Sequence, residues 1–241
     1  MGIVQKVLDK YDNWGYQLKN KGVSRIIQEK AFEYGYKLKF KSIGVNHTSF
    51  IKNVEESCAK ATHKDVVRNE ASYFYYIFKG LKNLAVEYSQ LSLLDFGCGS
   101  GRILSVGMVK GFKKVVGVDI DEQSAQKAMH NCKILQEKGF TTPYEVYCDD
   151  ATRFPIPAGT NLIYLFNPFG DKTMKEVIEK IISYCRGNRQ DVYIIYYFPL
   201  LRHLFDATGL FSTIFSSQYK NKNTDIIIYK IGAEDNKFYF S

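Results

Sequence analysis

The stretch from Leu93 to Arg102, reading Leu-Leu-Asp-Phe-Gly-Cys-Gly-Ser-Gly-Arg, restricts the fold of this chain more than any other. Two apolar residues and an acid lead into glycines at 97, 99 and 101. This is the signature of a buried strand that turns sharply and opens a helix. Glycine is required because the turn uses backbone angles other residues resist, and because a side chain would hold a ligand away from the backbone. The layout is that of a nucleotide pocket, and the spacing narrows the ligand. A dinucleotide fingerprint reads G-x-G-x-x-G, with a pyrophosphate at the helix N-terminus, and a carboxylate at that mouth would repel it. Here the glycines fall on alternate residues behind Asp95. A ligand carrying positive charge suits that arrangement better.

Acid followed by G-x-G-x-G resembles the first motif of the class I S-adenosylmethionine-dependent methyltransferases. The resemblance implies that Asp95, Phe96, Gly97, Cys98, Gly99 and Gly101 line the cofactor site. Val115 to Asp121, Val-Val-Gly-Val-Asp-Ile-Asp, is similar to the family's second motif. Asp119 ends the second strand about twenty residues after the first glycine, where a carboxylate can accept both hydroxyls of a ribose, with Ile120 beside it. Asp121 is the alternative, although an acid there suits the start of the next helix. By resemblance Cys148-Asp149-Asp150-Ala151 is the third motif, with Asp150 reading the adenine amino group near the Ala151 amide. Asp149 stands where the family often has glycine, which leaves two acids as candidates. Arg68 and Tyr73 are candidates for the cofactor carboxylate.

Strand and helix alternate after the glycine turn. Short apolar runs at 115–120, 144–148, 161–166 and 192–198 read as strands. Glu122 to Lys138 and Lys172 to Cys185 read as helices stopped by Gly139 and Gly187, and Leu200 to Thr208 as a short helix. Phe211–Tyr219 and Asp225–Ile231 are two strands joined by Lys220-Asn221-Lys222-Asn223, too short for a crossover, so they must be antiparallel. The expected fold is α/β, a Rossmann-like seven-stranded mostly parallel sheet with an antiparallel C-terminal hairpin and a small N-terminal cap. Residues 63–241 form the methyltransferase domain in this reading. Residues 1–62 form the cap, which the resemblance places on the substrate side; the alternation from Tyr36 to Phe40 suggests an edge strand or hairpin there. From about Asp65 to Gln90, apolar residues at spacings of three and four predict an amphipathic helix against the sheet.

The fourth strand ends in Asn167-Pro168-Phe169. Many nitrogen methyltransferases carry Asn/Asp-Pro-Pro-Tyr/Phe here, so the resemblance assigns these three residues to the acceptor, the Asn167 amide oxygen holding an amine and Phe169 packing its plane. The stretch also resembles the Dot1-like lysine methyltransferases and bacterial proteins of unassigned substrate near them. Methylation of a protein or small-molecule nitrogen is the expected reaction. RNA or another polyanion is the alternative that the net charge of +8 leaves open, and a non-catalytic cofactor-binding module is a third. Basic residues are spread along the chain without a run of five or six, so nucleic acid is not the favoured partner.

Five cysteines, at 58, 98, 132, 148 and 185, form no C-x-x-C pair, and none of the four histidines has ligand spacing. Neither a disulfide framework nor a metal site is expected. The first residues lack an apolar run of signal-peptide or membrane-span length, and a cytoplasmic location is expected.

Overall fold

A computed structural model of the chain describes residues 14–48, 71–167, 169–187, 190–219 and 223–232. Its seven strands, β1 (Ser92–Phe96), β2 (Lys114–Asp119), β3 (Tyr144–Cys148), β4 (Leu162–Phe166), β5 (Val192–Tyr197), β6 (Ser212–Gln218) and β7 (Thr224–Ile231), form one sheet in the order β3-β2-β1-β4-β5-β7-β6. The first five are parallel neighbours, whereas β7 is antiparallel to both β5 and β6. The order reverses between β1 and β4, leaving a crevice at the strand ends just beyond the glycine turn.

The strands read as continuous apolar runs because both faces are covered. Leu93, Val115, Leu162, Ile195 and Ile226 face one core, with helices α3 (Phe74–Lys82), α4 (Arg102–Val109) and α5 (Glu122–Glu137). Their neighbours Leu94, Val116, Ile163, Ile194 and Ile227 face the other, with α6 (Asp171–Arg186) and α7 (Arg202–Asp206). At two crossings glycine permits the contact. A Cβ on Gly117 of β2 would meet Leu104 Cδ1 at 2.6 Å, and one on Gly80 of α3 would meet Ile195 Cγ2 at 2.8 Å.

The N-terminal segment departs from the expectation of an edge strand or hairpin. It folds as α1 (Trp14–Lys21) and a 20-residue helix, α2 (Val23–Ser42), which includes Tyr36 to Phe40. The buried positions of α2 are Ile26, Glu29, Glu33 and Phe40. They keep helical spacing, but two are glutamates, so the apolar periodicity that marks a helix is broken on its inner face. Charge holds this face. Glu29 pairs with Lys21 at 2.6 Å and with Arg25, and Arg25 and Lys79 both reach Asp225 on β7. Phe40 and Val45 lie in the same core as the sheet residues. The proposed boundary at 62/63 falls outside the described residues.

The helix expected from Asp65 to Gln90 is shorter where described: α3 ends at Lys82, and a single 3-10 turn at Tyr88–Gln90 precedes β1. Asn83 closes it by donating its backbone N–H to the last-turn carbonyls. No helix among the described residues is long and apolar enough to cross a membrane.

Candidate functional site

The glycine turn is built by the end of β2. Gly97 and Cys98 donate their amides to the Val118 carbonyl at 2.8 and 3.0 Å, and Gly99 donates to the Asp119 carboxylate at 2.7 Å. Gly97, Gly99 and Gly101 all have positive φ, at 77, 53 and 75°. A Cβ on Gly101 would also meet Ala128 Cβ at 3.0 Å, so the turn must stay bare for α4 to lie against α5. Asp119's second oxygen accepts from the Asp121 amide at 2.9 Å, and Asp121 caps α5 by accepting from Ser124.

Beside this turn lies a cleft lined by Ser72, Asp95, Gly97, Gly99, Arg102 and Tyr164, among others. Asp95 is 5% exposed, and its carboxyl group makes no hydrogen bond or ion pair with any described residue. Burial, and after it the nearby Asp119, pushes its carboxyl well above the usual range. Burial also raises Asp119 to about 6, against the lowering effect of the two amides it accepts from. Two buried acids at adjacent strand ends, neither ion-paired with a described residue, resist ionising, and a positively charged ligand would favour their charged forms.

Arg102, which is not among the residues expected at the site from sequence, lies in the same cleft. Its Nη1 donates to Glu33 of α2 at 2.5 Å and to the Ser72 carbonyl at 2.9 Å, while its buried Nε has no partner among the described residues. The Tyr164 hydroxyl is also buried and, although Ser72 lies near it, closes no hydrogen bond. The signal available was position: Arg102 is the first helical residue after the last glycine.

The remaining predicted residues divide between the cleft edge and the core. Cys98 lines the cleft, and its sulfur would lie 2.9 Å from a Cβ on Gly117. Ile120 is half-buried beside Asp119. In the third motif Asp150 is buried, and one oxygen accepts from both the amide and the hydroxyl of Thr152 at 2.8 Å. Asp149 is the more exposed acid, and accepts from the Asp150 amide at 2.7 Å. Phe96, Ala151 and Phe169 are side chains of the core on the opposite face of the sheet. Arg68 and Pro168 lie outside the described residues.

The structure corrects the expected geometry of Asn167 and Phe169. Asn167 is 3% exposed, with left-handed backbone (φ 38°). Its oxygen accepts from the Tyr196 hydroxyl at 2.9 Å and from the Leu200 amide at 3.4 Å, and its nitrogen donates to the Phe198 carbonyl. The amide is thus taken up by the end of β5 rather than offered to an amine. Phe169, 8% exposed, meets Phe96 edge-on at 6.5 Å between ring centroids.

Comparison with known proteins matches these features. The profile of the Ribosomal protein L11 methyltransferase (PrmA) family matches residues 79–145, from α3 through the glycine turn to β3. The L11 methyltransferase of Colwellia psychrerythraea is 51% identical over 43 residues, covering 17% of this chain and 14% of that protein. That of Vibrio campbellii is 38% identical over 64 residues, covering 26% and 20%. The Escherichia coli protein yhhF, named for a proposed methyltransferase activity, superposes with a TM-score of 0.51 at 16% identity, over 68% of this chain and 90% of that one. The fold is that of the class I S-adenosylmethionine-dependent methyltransferases. Matches to the L11 methyltransferases span about a fifth or less of those proteins' length. The matching family profile is that of the L11 methyltransferases, and the Dot1-like grouping is not shown.

Proposed function

We propose that the chain binds S-adenosylmethionine in the cleft beside Asp95 and transfers its methyl group to a protein acceptor. The observation that carries the reading is the buried carboxyl group of Asp95 beside Asp119, unpaired among the described residues. When bound, S-adenosylmethionine supplies a methyl group already activated by its sulfonium. In this assignment Asp95 faces the ammonium group and Asp119 accepts from the ribose hydroxyls. Asp149 and Asp150 flank the adenine, Asp149 having the more exposed carboxylate. Gly97, Gly99 and Gly101 let the ligand approach the backbone of the turn.

Little further chemistry is asked of the protein. It must hold the donor rigidly, admit a lone pair in line with the methyl carbon, and exclude water. Asn167 and Phe169 contribute by fixing the ends of β4 and β5, which form the rim of the crevice, and not by touching the acceptor. A protein acceptor is favoured by the similarity of residues 79–145 to L11 methyltransferases. A cytoplasmic location accords with that reading.

Calorimetry with S-adenosylmethionine, S-adenosylhomocysteine and NAD, followed by transfer of labelled methyl to ribosomal proteins and to ribosomal RNA, tests the proposal. Binding of the first two and label in protein are expected. Label confined to RNA would overturn the acceptor class, and failure to bind either adenosyl ligand would overturn the whole assignment.

A further inference from the structure

We propose that Glu33, on the N-terminal helix α2, positions Arg102 so that the free edge of its guanidinium binds the carboxylate at the amino-acid end of the cofactor. The inference rests on the cleft being the S-adenosylmethionine site, and it makes the N-terminal segment part of the donor site.

Arg102 is held on one edge only. Nη1 is fixed by Glu33 and the Ser72 carbonyl, and the Phe74 ring lies 5.0 Å from the guanidinium carbon. On the other edge Nε is buried without a partner among the described residues, and the Tyr164 hydroxyl in the same cleft, with only Ser72 near it, closes no hydrogen bond there. A buried donor left unpaired is costly, and two of them in one cleft call for an acceptor from outside the protein. Asp95 lines that cleft too, as an acceptor without a donor. Unpaired donors and an unpaired carboxylate side by side are the complement of a zwitterion: a carboxylate for Arg102 and Tyr164, an ammonium for Asp95. A guanidinium edge matches a carboxylate's two oxygens in a way a single charge does not.

Glu33 is set for this role from two sides. Its other oxygen accepts the Phe74 amide, the first of α3, at 2.8 Å, so the carboxylate that holds Arg102 is itself fixed by the sheet-bound helix. Without it, Arg102 is free to swing toward Asp95, and a pair formed across the cleft would cancel both groups meant for the ligand. The segment also grips the turn at a second place. His47 meets the Ser105 hydroxyl at 2.9 Å, and the Asn131 amide nitrogen donates to the carbonyls of Asn46 and Ser100, at 2.9 Å each.

The full chain carrying Glu33→Gln is titrated calorimetrically with S-adenosylhomocysteine, which has the amino-acid end, and with 5′-methylthioadenosine, which lacks it. The substituted amide keeps an oxygen for the Phe74 N–H, so the fold is retained. Affinity for S-adenosylhomocysteine should fall about tenfold, a change of about 1.4 kcal/mol, with methylthioadenosine unaffected. Equal weakening of both ligands, or of neither, overturns the inference. Arg102→Gln should show the same selectivity more strongly. If it does not while the parent binds both ligands, the carboxylate is held elsewhere and the inference falls with the cofactor site intact. If the parent binds neither ligand, the cofactor site itself is wrong.

Discussion

Asn167 donates its side-chain amide to the Phe198 carbonyl, joining the two non-glycine residues whose backbone is left-handed among those described. Their φ angles are 38 and 51°, and they stand just past the ends of β4 and β5. One buried side chain therefore sets the shape of the rim at two neighbouring strands. Asn167→Ala leaves the Phe198 carbonyl and the Tyr196 hydroxyl without that partner and should cost about 1 to 3 kcal/mol in urea unfolding. Asn167→Gly relieves the backbone strain but not the lost bonds, and should recover only part. An alanine variant as stable as the parent would show that the rim is held by something else.

Asp119 gives a prediction with a pH window. Its folded pKa, about 6, lies above the ordinary value of 3.8, and a ligand bound through the ionised carboxylate must pull it down again. The Asp119 contribution to S-adenosylmethionine affinity should therefore be constant above pH 7 and fall as pH drops through about 6. Asp119→Asn should weaken binding by about 1.5 to 3 kcal/mol at neutral pH and remove that midpoint. Calorimetry from pH 5 to 8 checks both; an unchanged midpoint would assign it to another group.

His47 contributes with a sign of its own. Burial, with Arg102 and Lys127 nearby, lowers it from 6.5 to about 3. Between those values the unfolded chain takes up a proton the native protein refuses, so this residue's contribution lowers stability as pH falls from 6.5 toward 3. Subtracting the pH profile of a His47→Gln variant from that of the parent isolates it, and a flat difference would mean the imidazole is already exposed.

Two glycines should respond oppositely to alanine. In Gly117→Ala the new methyl meets Leu104 and Cys98, and overpacking of this kind costs about 1 to 3 kcal/mol. In Gly35→Ala, within the exposed face of α2, nothing lies within 4 Å, and the gain in helix propensity should be about 0.5 to 1 kcal/mol. Thermal unfolding of the pair gives the comparison, and a stabilised Gly117→Ala would contradict the close approach of α4 to β2.

The sheet and the helices after residue 100 were legible because the sequence states them in apolar runs closed by glycine. Tyr144–Cys148 matches its predicted strand, and the other boundaries move by one or two residues. The glycine turn and Asp119 were legible for a related reason: backbone geometry there demands particular residues. What was hidden had polar residues doing buried work. Glu29 and Glu33 occupy the inner face of α2, where periodicity looks for leucine, and Arg102 is buried although arginine rarely is. Asn167 was visible as a residue of interest, but the direction of its amide depends on a left-handed backbone angle that its name does not reveal.

The place of β7 in the sheet has a consequence for how the molecule is made. This strand, the last of those described, lies between β5 and β6, with Ile226, Ile227 and Ile228 fully buried. During synthesis β5 therefore emerges with an open apolar edge, and β6 follows it out of the ribosome with no neighbour to pair with until β7 arrives. An unpaired strand edge of that kind is where nascent chains stick to one another. Between the synthesis of Tyr197 and that of Ile231, this edge of the sheet lacks the strand that covers it in the folded protein.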